Sequence, residues 1–112
     1  MKETKIINID GDTYYFMNGM IHRDGGPAIE WADGGKSWYK NGKLHREDGP
    51  AFERCNGDKE WYKSGGLHRE EGPAVECVCG YKEWWSNDKR YGKNNDFNNE
   101  SWQVFIKTLI FS

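Results

Sequence analysis

The sequence lacks most of what would send it to a membrane, a nucleic acid or an oxidising compartment. Hydrophobic residues make up only 36% of its 112 positions, enough for one small domain with a thin core. Residues 1–10, MKETKIINID, carry acids and no apolar run of signal-peptide length, so no secretion signal is expected there. The longest apolar stretch of the tail is far short of a membrane span. An excess of one charge is missing too. Sixteen basic and 18 acidic residues leave a net charge of −2, which is no electrostatic footprint for duplex DNA or an anionic membrane. Cysteine is scarce, and the count of three is odd, with no look of a disulfide framework. That usage fits a reducing cytoplasm, the expected compartment.

Aromatic residues, by contrast, reach 15%, with six Trp and six Tyr. A disordered chain of this polarity would be poor in rings, so an ordered fold built on large flat side chains is expected. The rings are also periodic. Tyr15, Trp38, Trp61 and Trp84 are each 23 residues apart. The same step links His22-Arg23, His45-Arg46 and His68-Arg69, and it links Gly26-Pro27-Ala28, Gly49-Pro50-Ala51 and Gly72-Pro73-Ala74. A fixed period in the twenties, with no insertion or deletion, indicates a stacked repeat array.

Each repeat carries two turn signals. One is Asn18-Gly19, Asn41-Gly42 and Ser64-Gly65; the other is Asp10-Gly11, Asp33-Gly34, Asn56-Gly57 and Cys79-Gly80. Asn-Gly and Asp-Gly tolerate positive φ at both central positions and so favour tight hairpins. Between them lie segments rich in aromatic and β-branched residues, such as 59–63 and 73–78. They read as two antiparallel strands per repeat, giving a meander of about seven strands that advances about 10 Å per repeat. The stretch 45–50, His-Arg-Glu-Asp-Gly-Pro, is too turn-rich for a clean strand, and its Pro removes a backbone donor.

The pattern fails after Tyr91, where Tyr91–Asp96 reads as loop or linker. Then the period changes. Trp102, Phe105, Ile106, Leu109 and Ile110 fall at i, i+3, i+4, i+7 and i+8, one face of a helix. Asn98 or Asn99 is placed to cap it, and Glu100 suits its N-terminus. A helix is favoured over a final strand, which Val104, Phe105 and Ile106 would also suit, and a terminal helix would cover the last repeat as a lid over Trp84 and Trp85.

The runs Tyr39-Lys40-Asn41-Gly42-Lys43-Leu44-His45 and Tyr62-Lys63-Ser64-Gly65-Gly66-Leu67-His68 resemble the hairpin of MORN (membrane occupation and recognition nexus) repeats over about residues 10–91. The resemblance is closest to the divergent variant with Trp-Tyr and His-Arg-Glu-Asp-Gly-Pro, similar to proteins of phages, large DNA viruses and bacteria, some antitoxin-like. It implies an elongated β-sheet, an interaction role and no enzyme chemistry. Arg23, Arg46 and Arg69 stand where usual MORN repeats have Gly, so the phospholipid binding proposed for the family is not carried over.

Candidate chemistry weighs against the bland reading as follows. His22, His45 and His68 each adjoin an Arg and an acid. Equivalent positions about 10 Å apart cannot share one ion, whose ligand nitrogens lie at about 2.0–2.1 Å. A set that recurs three times is no unique catalytic set either. The histidines are expected to tie the connecting loop to the next strand. Cys77 and Cys79 share a face of a regular strand about 6.6 Å apart, too far for a disulfide unless the turn distorts it. Cys55 aligns with Val78 and should point the other way. No metal and no cofactor are expected.

Two aromatic rows remain. Tyr15, Trp38, Trp61 and Trp84 form one, and Phe16, Tyr39, Tyr62 and Trp85 form the other, on the opposite face. One row can be core. The other is left exposed, covered by a partner, or paired with a second copy in a homodimer through that aromatic face. The fold is therefore read as all-β: an elongated single-layer antiparallel sheet of 23-residue MORN-like hairpin repeats over 1–92, with a linker and capping helix over 93–112. The function expected is a non-catalytic protein-interaction module, by resemblance a phage or bacterial factor that binds and inhibits a defence or toxin protein in the host cytoplasm. Trp38, Tyr39, Arg46, Trp61, Tyr62 and Arg69 are the candidate partner-binding residues. The alternative is a small-ligand binder that holds a nucleotide or phosphorylated ligand with its Arg and aromatic rows.

Overall fold

A computed structural model describes residues 4–111. The side chains of Ile110 and Phe111 lie outside the described residues, and with them the last position of the expected helix face. The strands are β1 (Thr4–Ile9), β2 (Asp12–Met17), β3 (Met20–Ile21), β4 (Ile29–Glu30), β5 (Lys36–Ser37), β6 (Tyr39–Lys40) and β7 (Lys43–Leu44). They continue with β8 (Phe52–Glu53), β9 (Lys59–Glu60), β10 (Tyr62–Lys63), β11 (Gly66–Leu67), β12 (Val75–Glu76), β13 (Lys82–Ser86) and β14 (Lys89–Lys93). A 3₁₀ turn (Asn94–Asp96) and helix α1 (Asn99–Phe111) close the chain. The protein is thus mostly antiparallel β-sheet with one C-terminal helix, within 42 × 33 × 18 Å.

Ten strands form the main sheet in the order β1-β2-β4-β5-β8-β9-β12-β13-β14, with β3 beside β2. The pairs β6-β7 and β10-β11 stand apart as two-stranded hairpins. In place of the expected seven or so strands the described residues form 14, ten of them two residues long. The segment expected to run from Lys59 to Lys63 divides at Trp61: Lys59–Glu60 pairs within the main sheet, and Tyr62–Lys63 pairs within its own hairpin. Trp38 divides β5 from β6 in the same way. Single backbone bonds then link the hairpins sideways: Gly42 N–H to the Ile21 carbonyl, Gly65 N–H to Leu44 and Asp88 N–H to Leu67, each at 2.8 Å.

The first turn type matches its sequence signal. Asn41 and Gly42 both take positive φ, 51° and 82°, the geometry that suits the twist of a two-residue hairpin. The second turn differs. At Asn56-Gly57 only Gly57 is left-handed, at φ 100°, and its N–H binds the Arg54 carbonyl, while Arg54 N–H binds Asp58. Three-residue loops with glycine in the left-handed position behave this way. Asp10-Gly11, at the β1–β2 turn, keeps positive φ at both residues.

Segment 91–93, read from sequence as loop, belongs to β14, because Trp84 pairs with Gly92 and Glu83 with Lys93. α1 begins where expected, and Asn98 is its cap. The Asn98 side chain accepts Ser101 N–H at 2.8 Å, and Ser101 Oγ accepts Asn98 N–H at 2.9 Å, a reciprocal box with Ser in place of the usual acid. Trp102 is fully buried and forms one cluster with Trp84 and Ile106, bordered by Tyr91, Phe97, Phe105 and Leu109. The helix is joined also to the loop after β11, by Trp102 Nε1, which donates to the Arg69 carbonyl at 2.8 Å. The lid covers Trp84 but not Trp85. Trp85 donates to Glu83, its neighbour two residues back on the opposite side of β13.

Replacing Trp102 by Ala should therefore cost about 3–5 kcal/mol, as for other buried Trp truncations. Urea unfolding of the intact chain checks this. An unchanged midpoint would mean that α1 is not a structural part of the fold.

Candidate interaction surface

Cross-strand partners define the two faces of the main sheet. Tyr14, Ile29, Ser37, Phe52, Glu60, Val75 and Glu83 stand opposite one another in sequence across seven strands. One residue away runs a second rank: Thr13, Glu30, Lys36, Glu53, Lys59, Glu76 and Lys82. From Glu30 onward its signs alternate, so each strand meets opposite charges on its neighbours. Alternation puts Tyr15, Trp38, Trp61 and Trp84 on this charged side, the first face. Phe16, Tyr39, Tyr62 and Trp85 lie on the other, the second face.

On the first face the chain's own loops lay an arginine over three of the four rings. The Arg23 guanidinium sits 3.9 Å from the centre of the Tyr15 ring, Arg46 3.8 Å from Trp38, and Arg69 3.8 Å from Trp61. Each Arg Nη1 also donates to the carbonyl of the following Pro, at 3.2 Å for Pro27 and 3.1 Å for Pro50 and Pro73. Arg46 pairs with Glu53 at 3.4 Å and with Asp48 at 3.1 Å, and Arg69 pairs with Glu76 at 2.8 Å. A planar, delocalised cation can stack on a ring and still donate in its own plane, which a lysine cannot do. Beneath lie Ala28, Ala51 and Ala74, all fully buried.

The histidines do what the bland reading expected. Nδ1 of His22, His45 and His68 accepts the backbone N–H of Asn41, Ser64 and Asn87, each at 2.9 Å and each 19 residues on. Every loop is thereby bonded to the next turn. Accepting at Nδ1 leaves the proton on Nε2, which faces Asp24 at 2.9 Å, Glu47 at 2.6 Å and Glu70 at 3.5 Å. The bond from His45, largest of the causes, and the charge of Lys63 hold the Glu47 carboxyl below its usual range.

On the second face the Arg54 guanidinium lies 4.6 Å from the centre of the Phe52 ring, and among the described residues no cation is stacked on Phe16, Tyr39, Tyr62 or Trp85. At its hairpin edge, Phe16 pairs with Ile21, Tyr39 with Leu44, Tyr62 with Leu67 and Trp85 with Arg90. The first seven of these line up as a lane of rings and aliphatic side chains, all half-buried. Glu60 and Glu83 anchor the rings from the main sheet. Tyr62 donates to Glu60 at 2.7 Å, and Trp85 and Tyr81 donate to Glu83 at 2.8 and 2.7 Å. Burial, then the bond to Glu60, pushes the Tyr62 hydroxyl well above its usual range. For Glu83, burial alone would raise the carboxyl. The bonds from Tyr81 and Trp85 and the charge of Arg90 outweigh it and leave the group lowered. At the start of the sheet Tyr14 meets Phe16 at 6.5 Å and Trp31 at 6.1 Å, and Trp31 Nε1 donates to the buried Ser37 hydroxyl at 2.9 Å.

The six candidate residues thus divide. Trp38 with Arg46, and Trp61 with Arg69, are stacked pairs on the first face; Tyr39 and Tyr62 are neighbours in the lane of the second. Sequence reasoning passed over Ile21, Leu44 and Leu67, although they too form a 23-residue column. The cysteines need a correction. Cys77 and Cys79 are joined by a disulfide with Cα atoms 5.1 Å apart, while Cys55 is free and exposed. Regular strand spacing did not apply, because residues 77–81 turn: Gly80 N–H binds Cys77 O, and Cys77 N–H binds Tyr81 O. Among the described residues no three His, Cys, Asp or Glu side chains gather as a metal site, and no helix is long and apolar enough to cross a membrane. Compared with family models, curated proteins and solved structures, the chain has no match.

Replacing His45 by Phe removes the acceptor for Ser64 N–H and should cost about 1–3 kcal/mol. Hydrogen exchange should quicken at Ser64 while Asn87, bonded to His68, stays protected. Equal loss at both amides would show that the loop bonds are not local ties.

Proposed function

We propose that the chain is an array of MORN-like repeats, elongated and single-layered, that serves as a non-catalytic protein-interaction module through its second face. The observation that carries this reading is the lane from Phe16 to Trp85, whose rings and aliphatic side chains are half-buried and, among the described residues, lie under no stacked cation. On the other face the equivalent rings are stacked under Arg23, Arg46 and Arg69. Tyr and Trp held rigid on a sheet bury large area at small entropic cost, and binding energy concentrates in such residues. The partner is a protein that lays apolar side chains along the lane, with Glu60, Glu83, Arg54 and Arg90 giving it a polar rim. Tyr39 and Tyr62 are the central contacts. The narrower role, a phage or bacterial inhibitor of a defence or toxin protein in the host cytoplasm, rests on the family resemblance alone.

The nucleotide-binding alternative is less well supported. Its Arg46 and Arg69 border an open groove of about 410 Å³, but Glu47, Asp48, Glu70 and Glu71 line the same groove. Each of the two guanidinium groups already stacks one face on a Trp and gives its Nη1 to Pro and Glu. An added phosphate would meet four carboxylates.

A photo-crosslinking residue at Tyr62 should capture the partner from cells, while one at Lys59, on the first face, should not. Tyr39→Ser with Leu44→Ser should abolish the capture with the circular dichroism spectrum unchanged. Capture from Lys59 alone, or a rise in melting temperature with nucleotides, would overturn the reading.

A further inference from the structure

We infer that β1 is a dimerisation strand, at which two copies of the chain pair antiparallel and join their sheets edge to edge. β1 is the last strand on its side of the main sheet. All six of its residues are exposed, and Ile6, Ile7 and Ile9 keep 60%, 42% and 53% of their surface accessible. An edge strand offers a row of free N–H and C=O groups. Folded proteins usually blunt such an edge with charge, proline, a bulge or a covering element. β1 carries one charge, Lys5, and no proline or bulge against β2.

The opposite edge is blunted in just these ways. β14 holds Lys89, Arg90 and Lys93, its register with β13 shifts at Trp84/Trp85, and the 3₁₀ turn follows directly. Pairing β1 of one copy with β14 of the next would set Lys5 among three cations. It would also repeat without end and give a fibre. Pairing β1 with β1 avoids both and closes after two copies.

The register follows from the faces. Ile7 opposes Tyr14, Lys5 opposes Phe16 and Ile9 opposes Asp12, so all three lie on the second face. Ile6 and Asn8 oppose Tyr15 and Thr13 on the first. A continuous sheet needs residues of like face opposite one another. A two-fold axis at Ile7 achieves this. It sets Ile7 against its own copy, Ile9 against the Lys5 stem and Ile6 against Asn8, so that every exposed isoleucine gains a neighbour. An axis at Ile6 would give Ile9 no neighbour among the described residues. This is a different dimer from one made through the aromatic face. It leaves the second face free, and continues it from one copy into the other. It does not depend on what binds there.

Sedimentation equilibrium of the full chain should give twice its 13.1 kDa mass. Ile7→Lys and Ile7→Glu should each yield monomers with an unchanged circular dichroism spectrum, and an equimolar mixture of the two should restore the dimer through the facing opposite charges. If either charged variant unfolds, Ile7→Thr, which keeps strand propensity, should raise the dimer Kd about tenfold or more. A monomeric wild type, a species that grows past two copies, or a dimer indifferent to these substitutions would overturn the inference.

Discussion

The structure depends on one stacking: the guanidinium of each loop lying flat on the ring of its own repeat. A sheet with large rings on both sides has twice the apolar surface that one thin layer can bury. The His-Arg-x-x-Gly-Pro segments resolve this on the first face without a second layer of secondary structure. The Arg covers the ring, its edge binds the Pro carbonyl, and its partner Glu53 or Glu76 stands in the alternating Glu–Lys rank. Each stack is worth about 0.5–2 kcal/mol according to how far it is desolvated. Its larger effect is to fix a loop whose Pro has no N–H to give to a ladder. The histidine then fixes that loop to the next turn.

The same constraint explains where the 23-residue sequence pattern ends. At the fourth ring, Trp84, the position 23 residues after Arg69 is Gly92. No guanidinium is available, and a Cβ there would already press on Asp96 and Phe97 at 3.0 Å. Two rings take the cation's place. Phe97 and Trp102 both lie 5.7 Å from Trp84, within the range of favourable tilted contacts. The histidine column changes as well: Tyr91 replaces the expected His and packs against Trp102 and Phe105. The cap is thus a substitution of one ring-covering device for another at the same site.

What could be read in the sequence was whatever repeats or sets a period. The 23-residue step located the turns, and the shift to a helical period located α1 and its Asn98 cap. That the histidines are ties rather than metal ligands was expected, since one ion cannot be shared across repeats, but the tie expected to the next strand runs instead to the next turn. Strand number was not legible, because Trp38 and Trp61 sit in mid-segment with no Gly or Pro to mark a break; the break comes from where partners run out. The Cys77–Cys79 bond was hidden for a related reason. Strand spacing was applied to residues that the Gly80 turn pulls together. The split of the candidate site had the same root, since parity shows that Trp38 and Tyr39 oppose each other but not which loop folds over which.

Once an arginine lies over the rings of one face, the two faces stop being equivalent. On the first, Tyr15, Trp38 and Trp61 each have a cation, each of those cations an acid, and each of those loops a histidine, while Trp84 is covered by Phe97 and Trp102. Among the described residues no buried side-chain nitrogen or oxygen is left without a partner. On the second, the polar groups are also satisfied, but by Glu60, Glu83 and Ser37 within the sheet, beside rings that remain half open. Adding apolar cover on that side breaks no bond and removes ring surface from water, a gain of about 25 cal/mol per Å². The asymmetry arises from loop placement rather than composition, since both faces carry an aromatic in every repeat. A variant that lost Arg46 and Arg69 together would erase it by opening the first face, and would then bind apolar probes on both sides.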